Sequence, residues 1–153
     1  IRNQFRENEL AIIKHFDKNS IIVEFGGGYV STKAFSQYFE LTTIEQNIKY
    51  CNIFDNVNYI HAPINNNWYD IVKVKNKIPK KVDLYFIDGP SGSGNRHGML
   101  NNIDILDKDA IVICHDTDRH AEMDMAKKLA NILNKEINFY TEGDAWCVIG
   151  KLN

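Results

Sequence analysis

Two acids and a histidine stand at the ends of apolar runs in the second half of the chain. Asp88 closes the run Leu84-Tyr85-Phe86-Ile87, and His115 and Asp116 follow Ala110-Ile111-Val112-Ile113-Cys114. At the ends of neighbouring strands these three side chains would face one cleft. Together they can form an oxygen-rich site for Mg2+, Mn2+ or Ca2+ that binds a substrate hydroxyl and lowers its pKa. The imidazole makes Mn2+ or another transition metal a better fit than carboxylates alone would. Without a metal, His115 or Asp88 is the candidate general base, since a histidine titrates near neutral pH. Plain capping of the strand ends is the third reading.

A second group lies near the start, in Val23-Glu24-Phe25-Gly26-Gly27-Gly28-Tyr29-Val30-Ser31-Thr32. Consecutive glycines after a buried strand allow a tight turn and leave room for a ligand to approach the backbone. A pyrophosphate site would prefer G-x-G-x-x-G, and Ser31 stands where the last glycine would be. Glu24 would repel phosphate and suits a ligand that carries a positive group. About 20 residues further on, at the end of the next apolar run, Glu45 can accept hydrogen bonds from both hydroxyls of a ribose. His61 ends the run after that, where it can flank an adenine ring or cap the strand.

These residues need a scaffold that brings strand ends together. Ser20–Gly26, Leu41–Glu45, Asn58–Ala62, Val82–Asp88 and Ala110–His115 read as short buried strands, rich in β-branched and aromatic residues. Helical stretches are expected at Thr32–Phe39, Ile48–Phe54, Tyr69–Asn76, Gly98–Leu106 and Arg119–Asn134, the last with Asp118 as N-cap. An amphipathic helix over residues 1–18, with Phe5, Ile12, Ile13 and Phe16 aligned, precedes a core over 20–153. Ile137–Thr141 and Trp146–Gly150 close the chain as a hairpin around Glu142-Gly143-Asp144. The alternation implies a single α/β domain: a Rossmann-like, doubly wound, mostly parallel seven-stranded sheet with an antiparallel edge hairpin and helices on both faces. In such sheets ligands bind outside the carboxyl ends of the strands, near the topological switch point.

Composition narrows the field. The 153 residues fit one domain, and 44% apolar with 11% aromatic content is enough for a buried core. Lys and Arg total 18 against 20 Asp and Glu, so there is no excess of positive charge to suggest nucleic acid as partner. A lysine run, Lys73, Lys75, Lys77, Lys80 and Lys81, reads first as a solvated face. The run Ala110–Cys114 falls far short of the roughly 20 apolar residues that span a bilayer. Three cysteines, Cys51, Cys114 and Cys147, form no CxxC pair and fit a reducing compartment, which gives a cytoplasmic expectation.

Glu24, the triple glycine, Ser31-Thr32 and Glu45 together resemble the class I S-adenosylmethionine-dependent methyltransferases, whose first motif reads roughly E-x-G-x-G. The resemblance runs from Ser20 to the final strand. It implies S-adenosylmethionine as cofactor, with Gly26, Gly27 and Gly28 against its methionine part, Glu24 near its amino-acid end and Glu45 on its ribose, and with Ser31, His61 and Asp88 also among the cofactor-binding residues. Asp88-Gly89-Pro90, followed by a Gly/Ser loop and Arg96, is similar to small-molecule and sugar O-methyltransferases. Cys114-His115-Asp116-Thr117-Asp118-Arg119 resembles the D-D-T-x-R segment of catechol-type and glycan-type enzymes, with His115 in place of the first acid.

The expected reaction is methyl transfer to a hydroxyl of a small molecule or sugar, by alignment of the oxygen and removal of its proton. Arg96 and Arg119 are candidates to grip a carboxylate or phosphate on the substrate. Trp68 is a candidate for the adenine or a sugar face, with core packing as its alternative. His97 lies in the same Gly/Ser loop as Arg96. With no separate substrate domain, the acceptor pocket would come from loops, the N-terminal helix or a second subunit, so a homodimer is an open expectation. A catalytically silent binding module and an NAD-dependent oxidoreductase are the alternatives, with a nucleic-acid methyltransferase, resting mainly on the lysine run, as the remaining rival. The missing third glycine and the acid before the loop oppose the oxidoreductase.

Overall fold

The computed structural model describes residues 2–92, 94–141 and 145–152, with side chains from residue 8 onward. The chain runs through α1 (Arg2–Ile13), β1 (Ile21–Phe25), α2 (Ser31–Ser36), β2 (Glu40–Glu45), β3 (Asn58–His61), β4 (Ile64–Asn65) and β5 (Trp68–Tyr69). It continues through α3 (Ile71–Val74), β6 (Leu84–Ile87), β7 (Ile111–His115), α4 (His120–Leu133), β8 (Ile137–Tyr140) and β9 (Trp146–Ile149). Seven strands form one sheet in the order β3-β2-β1-β6-β7-β9-β8, and β4 and β5 form a separate small hairpin. The first five are parallel; β9 runs antiparallel to β7 and β8, as expected of the closing pair.

Strand order reverses between β1 and β6. From β1 the chain winds outward through β2 and β3, then returns to lay β6 on the other side of β1. The carboxyl ends of β1 and β6 are therefore neighbours, with Phe25 in register with Ile87. Alternate side chains feed two cores. Val23, Phe25, Tyr85 and Ile87 pack with Val74, Met125 and Leu129 from α3 and α4. Ile22, Leu84 and Phe86 pack with Ile12 and Phe35 from α1 and α2. Burial on both faces explains why these strands read as near-continuous apolar runs.

Several expected helices are shorter than their periodicity suggested, each for a local reason. Ile48–Phe54 forms only the 3-10 turn Ile48–Tyr50, and Asn52 follows in the left-handed region at φ 65°. Tyr69–Asn76 shrinks to α3, because Asp70 caps it through Val72 N–H (3.1 Å) and Trp68-Tyr69 belong to the β4–β5 hairpin. Asn66 and Asn67, at φ 54° and 67°, supply the two left-handed positions of that hairpin's tight turn. Gly98–Leu106 becomes two 3-10 segments, Arg96–Asn101 and Ile103–Ile105, with the Asn102 amide donating to Gly98 O at 2.8 Å between them. Asp118 does not cap α4. Asp116 is left-handed (φ 62°), Arg119 N–H turns back to Asp116 O, and Arg119 occupies the N-cap position without a side-chain cap. The helix α1 ends at Ile13, so Phe16 lies beyond it, and the Phe5 side chain lies outside the described residues, as does the turn at 142–144.

The 3-10 segment that carries Arg96 is seated on the hairpin through Gly98, where a Cβ would lie 2.4 Å from both Cβ and Cγ of Trp68. These atoms have little freedom, so Gly98→Ala should cost about 1–3 kcal/mol by overpacking. Urea unfolding checks this: the midpoint drops with the slope unchanged.

Candidate active site

The glycine turn begins where the sheet divides. Gly26 has φ 90°, and a Cβ there would sit 2.8 Å from the carbonyl oxygen of Asp88. Only glycine allows this approach of the β1 and β6 ends. Around Gly28, by contrast, an added Cβ would meet nothing within 4 Å, so this backbone faces open space.

The turn is tied down by Glu24, which is wholly buried. Its carboxylate accepts hydrogen bonds from the hydroxyls of Ser31, Thr32 (2.6 Å) and Thr43 (2.9 Å), joining β1 to α2 and β2. Burial pushes its pKa up to about 7, against the opposing pull of those three hydroxyls. Glu24 and Ser31 are thus both buried and hydrogen-bonded to one another, and with Thr32 and Thr43 they shape the loop. Thr32 Oγ1 also accepts from Gly28 N–H at 3.0 Å.

Glu45 does stand at the end of β2, beside the loop. One carboxylate oxygen accepts from Gly27 N–H (3.2 Å) and the other from Asn47 N–H. Burial raises its pKa above the ordinary value, opposed by these two amides. His61 is in register with Glu45 on β3, and its Nε2 lies 3.2 Å from Gln46 O. Gln46, which the sequence did not single out, pairs with the backbone of Ser91: its Nε2 donates to Ser91 O (3.1 Å) and its Oε1 accepts from Ser91 N–H (3.3 Å).

Asp88, His115 and Asp116 converge as expected, with one donor atom from each inside a common radius of 4.8 Å. His115 Nδ1 lies 3.4 Å from Asp88 Oδ1 and 3.3 Å from Asp116 Oδ1. Arg96 is buried beside them, contrary to its expected role of gripping substrate. Its Nη2 lies 2.9 Å from Asp116 Oδ2 and 3.6 Å from Asp88 Oδ1, and its Nη1 donates to His115 O at 3.1 Å. Arg119 is mostly exposed and approaches Asp116 Oδ2 at 3.6 Å. Burial lowers the His115 pKa, but Asp116 and Asp88 outweigh it and raise the group to about 9. Burial also works against the charge of Asp116, where His115 and Arg96 prevail and hold the carboxyl well below its usual range. At Asp88 burial wins over His115 and Arg96, so its pKa is raised.

The three donors are spaced as metal ligands would be, yet their charges are already met. Arg96 is a permanent cation fixed against both carboxylates, and His115 keeps its proton through the neutral range. The two carboxylates thus already share a buried cation, the feature that bears on whether the cluster takes a divalent ion.

Trp68 lies in the core against Phe25, not at a ligand face. His97 is turned to α4, with Nε2 2.9 Å from Asp124. Tyr69 was missed: its hydroxyl is buried with no hydrogen-bond partner among the described residues, and a Cβ at Gly89 would lie 2.3 Å from it. An aromatic next to Trp68 in a helical-looking stretch carries no sign of this in the sequence.

No protein-family model matches the chain, and no curated protein matches it in sequence. Solved structures do match it in shape. A methyltransferase from Geobacter sulfurreducens aligns with 97% of this chain and 78% of its own at a TM-score of 0.66 and 13% identity. PaMTH1 of Podospora anserina, a methyltransferase bound to S-adenosylhomocysteine, aligns with 95% of this chain and 76% of its own at 0.61 and 15%. Trm5b of Pyrococcus abyssi aligns at 0.54 and 15%, but this chain spans only 48% of its length. The chain has the fold of class I S-adenosylmethionine-dependent methyltransferases. No helix among the described residues is long and apolar enough to cross a membrane.

The Glu24 tie has a pH signature. Its carboxyl is protonated in both states below its ordinary value of 4.5; as pH climbs towards 7 the unfolded chain loses the proton first, so stability falls. The unfolding free energy of the wild type, relative to Glu24→Gln, should therefore drop by about 3 kcal/mol over that window and stay level above it. Urea titrations at a series of pH values measure this; a difference that rises with pH would show a carboxylate held charged.

Proposed function

We propose that the chain is an S-adenosylmethionine-dependent methyltransferase acting on a hydroxyl of a small molecule or sugar. The contact of Gly26 with Asp88 carries this reading. It joins the glycine turn and a half-buried carboxylate in one wall of the crevice at the switch point, where ligands of doubly wound sheets bind. Three features suit the cofactor. The backbone at Gly28 is open, and Glu45 keeps lone pairs for ribose hydroxyls beyond the two amides that orient it. The buried Tyr69 hydroxyl, beside Gly89, is a donor of the kind a bound ligand satisfies.

Bound there, the cofactor supplies a methyl group already activated for transfer. The protein's share is to align the acceptor and take its proton. Alignment can supply roughly 7–11 kcal/mol in favourable cases, and a general base about 10²–10⁴-fold. Asp88 is the base in this reading: it is partly open to solvent, and burial makes it a stronger proton acceptor than an ordinary aspartate. His115, protonated at neutral pH, lies between the two carboxylates and fixes their directions. Arg119, at the exposed edge, is left to hold an anionic group of the substrate.

Calorimetric titration with S-adenosylhomocysteine, and with NAD as control, tests the cofactor. Binding of the former alone, weakened about 10–100-fold in Glu45→Ala through loss of charge-assisted hydrogen bonds, is expected. No binding by folded protein would leave a silent module with a methyltransferase fold; binding of NAD instead would favour the oxidoreductase. In acceptor screens over sugars and phenols, Asp88→Asn should lower the rate constant by about 10²–10⁴-fold while retaining S-adenosylhomocysteine affinity.

A further inference from the structure

We propose that Arg96 is the resident cation of the acceptor site, doing from inside the protein what a divalent ion would do for two clustered carboxylates, so that Asp88, His115 and Asp116 bind no metal. The inference rests on the reading of this cluster as the place where the acceptor hydroxyl is deprotonated.

The placement of Arg96 is that of a built component. Its side chain is 4% exposed, whereas Arg119, near the same carboxylate, is 60% exposed. One arm of the guanidinium is anchored to a backbone carbonyl, His115 O, at the end of β7, and the other reaches the carboxylates of both Asp88 and Asp116. Two strands thus share one cation at their carboxyl ends. The segment that presents it is itself fixed. Asn95 caps it through His97 N–H (2.8 Å), Asn95 N–H is bonded to Asn67 O in the β4–β5 hairpin, and Gly98 sits against Trp68. Departure of Arg96 from the cluster would break the bond to His115 O and its contacts with both carboxylates.

A guanidinium does not lose its proton, so this charge cannot be removed to admit another cation. A divalent ion seated among the three donors would lie close to that fixed, buried charge and be repelled by it. Asp116 Oδ2 is held by Arg96 at 2.9 Å, while its Oδ1 faces His115 Nδ1 at 3.3 Å. In its present place Arg96 sets the direction of Asp116, whose left-handed backbone (φ 62°) brings the carboxylate back towards His115 and Asp88. It touches neither cofactor nor acceptor in this reading, and acts as a positioning residue. A buried guanidinium also offers no open coordination positions, so the acceptor need present only one hydroxyl and not two adjacent oxygens for chelation.

Mn2+ alone is the probe, titrated into the full chain after dialysis against EDTA and followed by the loss of its free paramagnetic resonance signal. The expected result is no stoichiometric binding to the wild type or to Arg96→Lys at millimolar Mn2+. Arg96→Gln, shown to be folded by circular dichroism, should acquire one site at least tenfold tighter, lost again when Asp88→Asn is added. Stoichiometric micromolar binding to the wild type, abolished by Asp88→Asn, would overturn the proposal, as would a folded Arg96→Gln that binds Mn2+ no better than the wild type. If Arg96→Gln fails to fold, the wild type and Arg96→Lys decide alone, absence of binding supporting the proposal and tight binding refuting it. None of these readouts needs the cofactor, so a failure to bind S-adenosylhomocysteine would overturn the proposed function separately.

Discussion

Gly26 and Asp88 meet backbone to backbone in the middle of the sheet, and the arrangement of the crevice follows from that contact. Each neighbouring ladder bond is closed there: Gly26 N–H reaches Ile44 O at 2.8 Å and Asp88 N–H reaches Phe25 O at 2.9 Å. A side chain at 26 would separate β1 from β6 and carry Asp88 away from the glycine loop. Because β7 is paired to β6, the displacement would pass on to His115 and Asp116. One missing Cβ thus sets the distance between the part of the crevice suited to a nucleoside and the part that carries the carboxylates.

Two glutamates beside that contact do different work. Glu24 lies on the α2 side of β1 and buries a carboxylate at a cost that three hydroxyls only partly offset. Its return is geometric. The three donors come from α2 and β2, so the loop between β1 and α2 is specified by a polar network instead of by packing. Glu45, also buried, has both its oxygens oriented by backbone amides of the loops it separates. The inner acid holds the loop, and the outer one remains able to meet a ligand.

The strands were legible because parallel strands buried on both faces must be apolar at nearly every position, a pattern little else produces at that length. Asp88, His115 and Asp116 were legible for a related reason: a polar residue directly after such a run has to lie at the sheet's carboxyl edge. The short helices were not, since their limits are set by single asparagines and an aspartate, Asn52, Asn102 and Asp70, acting through local bonds that periodicity does not register. Glu24, Ser31 and Arg96 were assigned to ligands because charged and hydroxyl groups near glycine loops usually face outward. Only the three-dimensional neighbourhood reveals that their partners are one another, or residues distant in sequence. Tyr69 was hidden for the opposite reason, as its aromatic body belongs to the core and its buried hydroxyl lies beside Gly89.

The likeness in shape to solved methyltransferases at 13–15% identity is a likeness of the backbone platform, and the charges set on it belong to this chain. On this platform two aspartates at adjacent strand ends repel each other and must be compensated by some cation, whatever the chemistry. A metal ion does this reversibly and with vacant coordination positions. Arg96, a buried guanidinium within reach of both aspartates, places such a cation within the fold itself. In this chain the compensating charge is carried by one buried side chain on a 3-10 segment and not by the sheet itself.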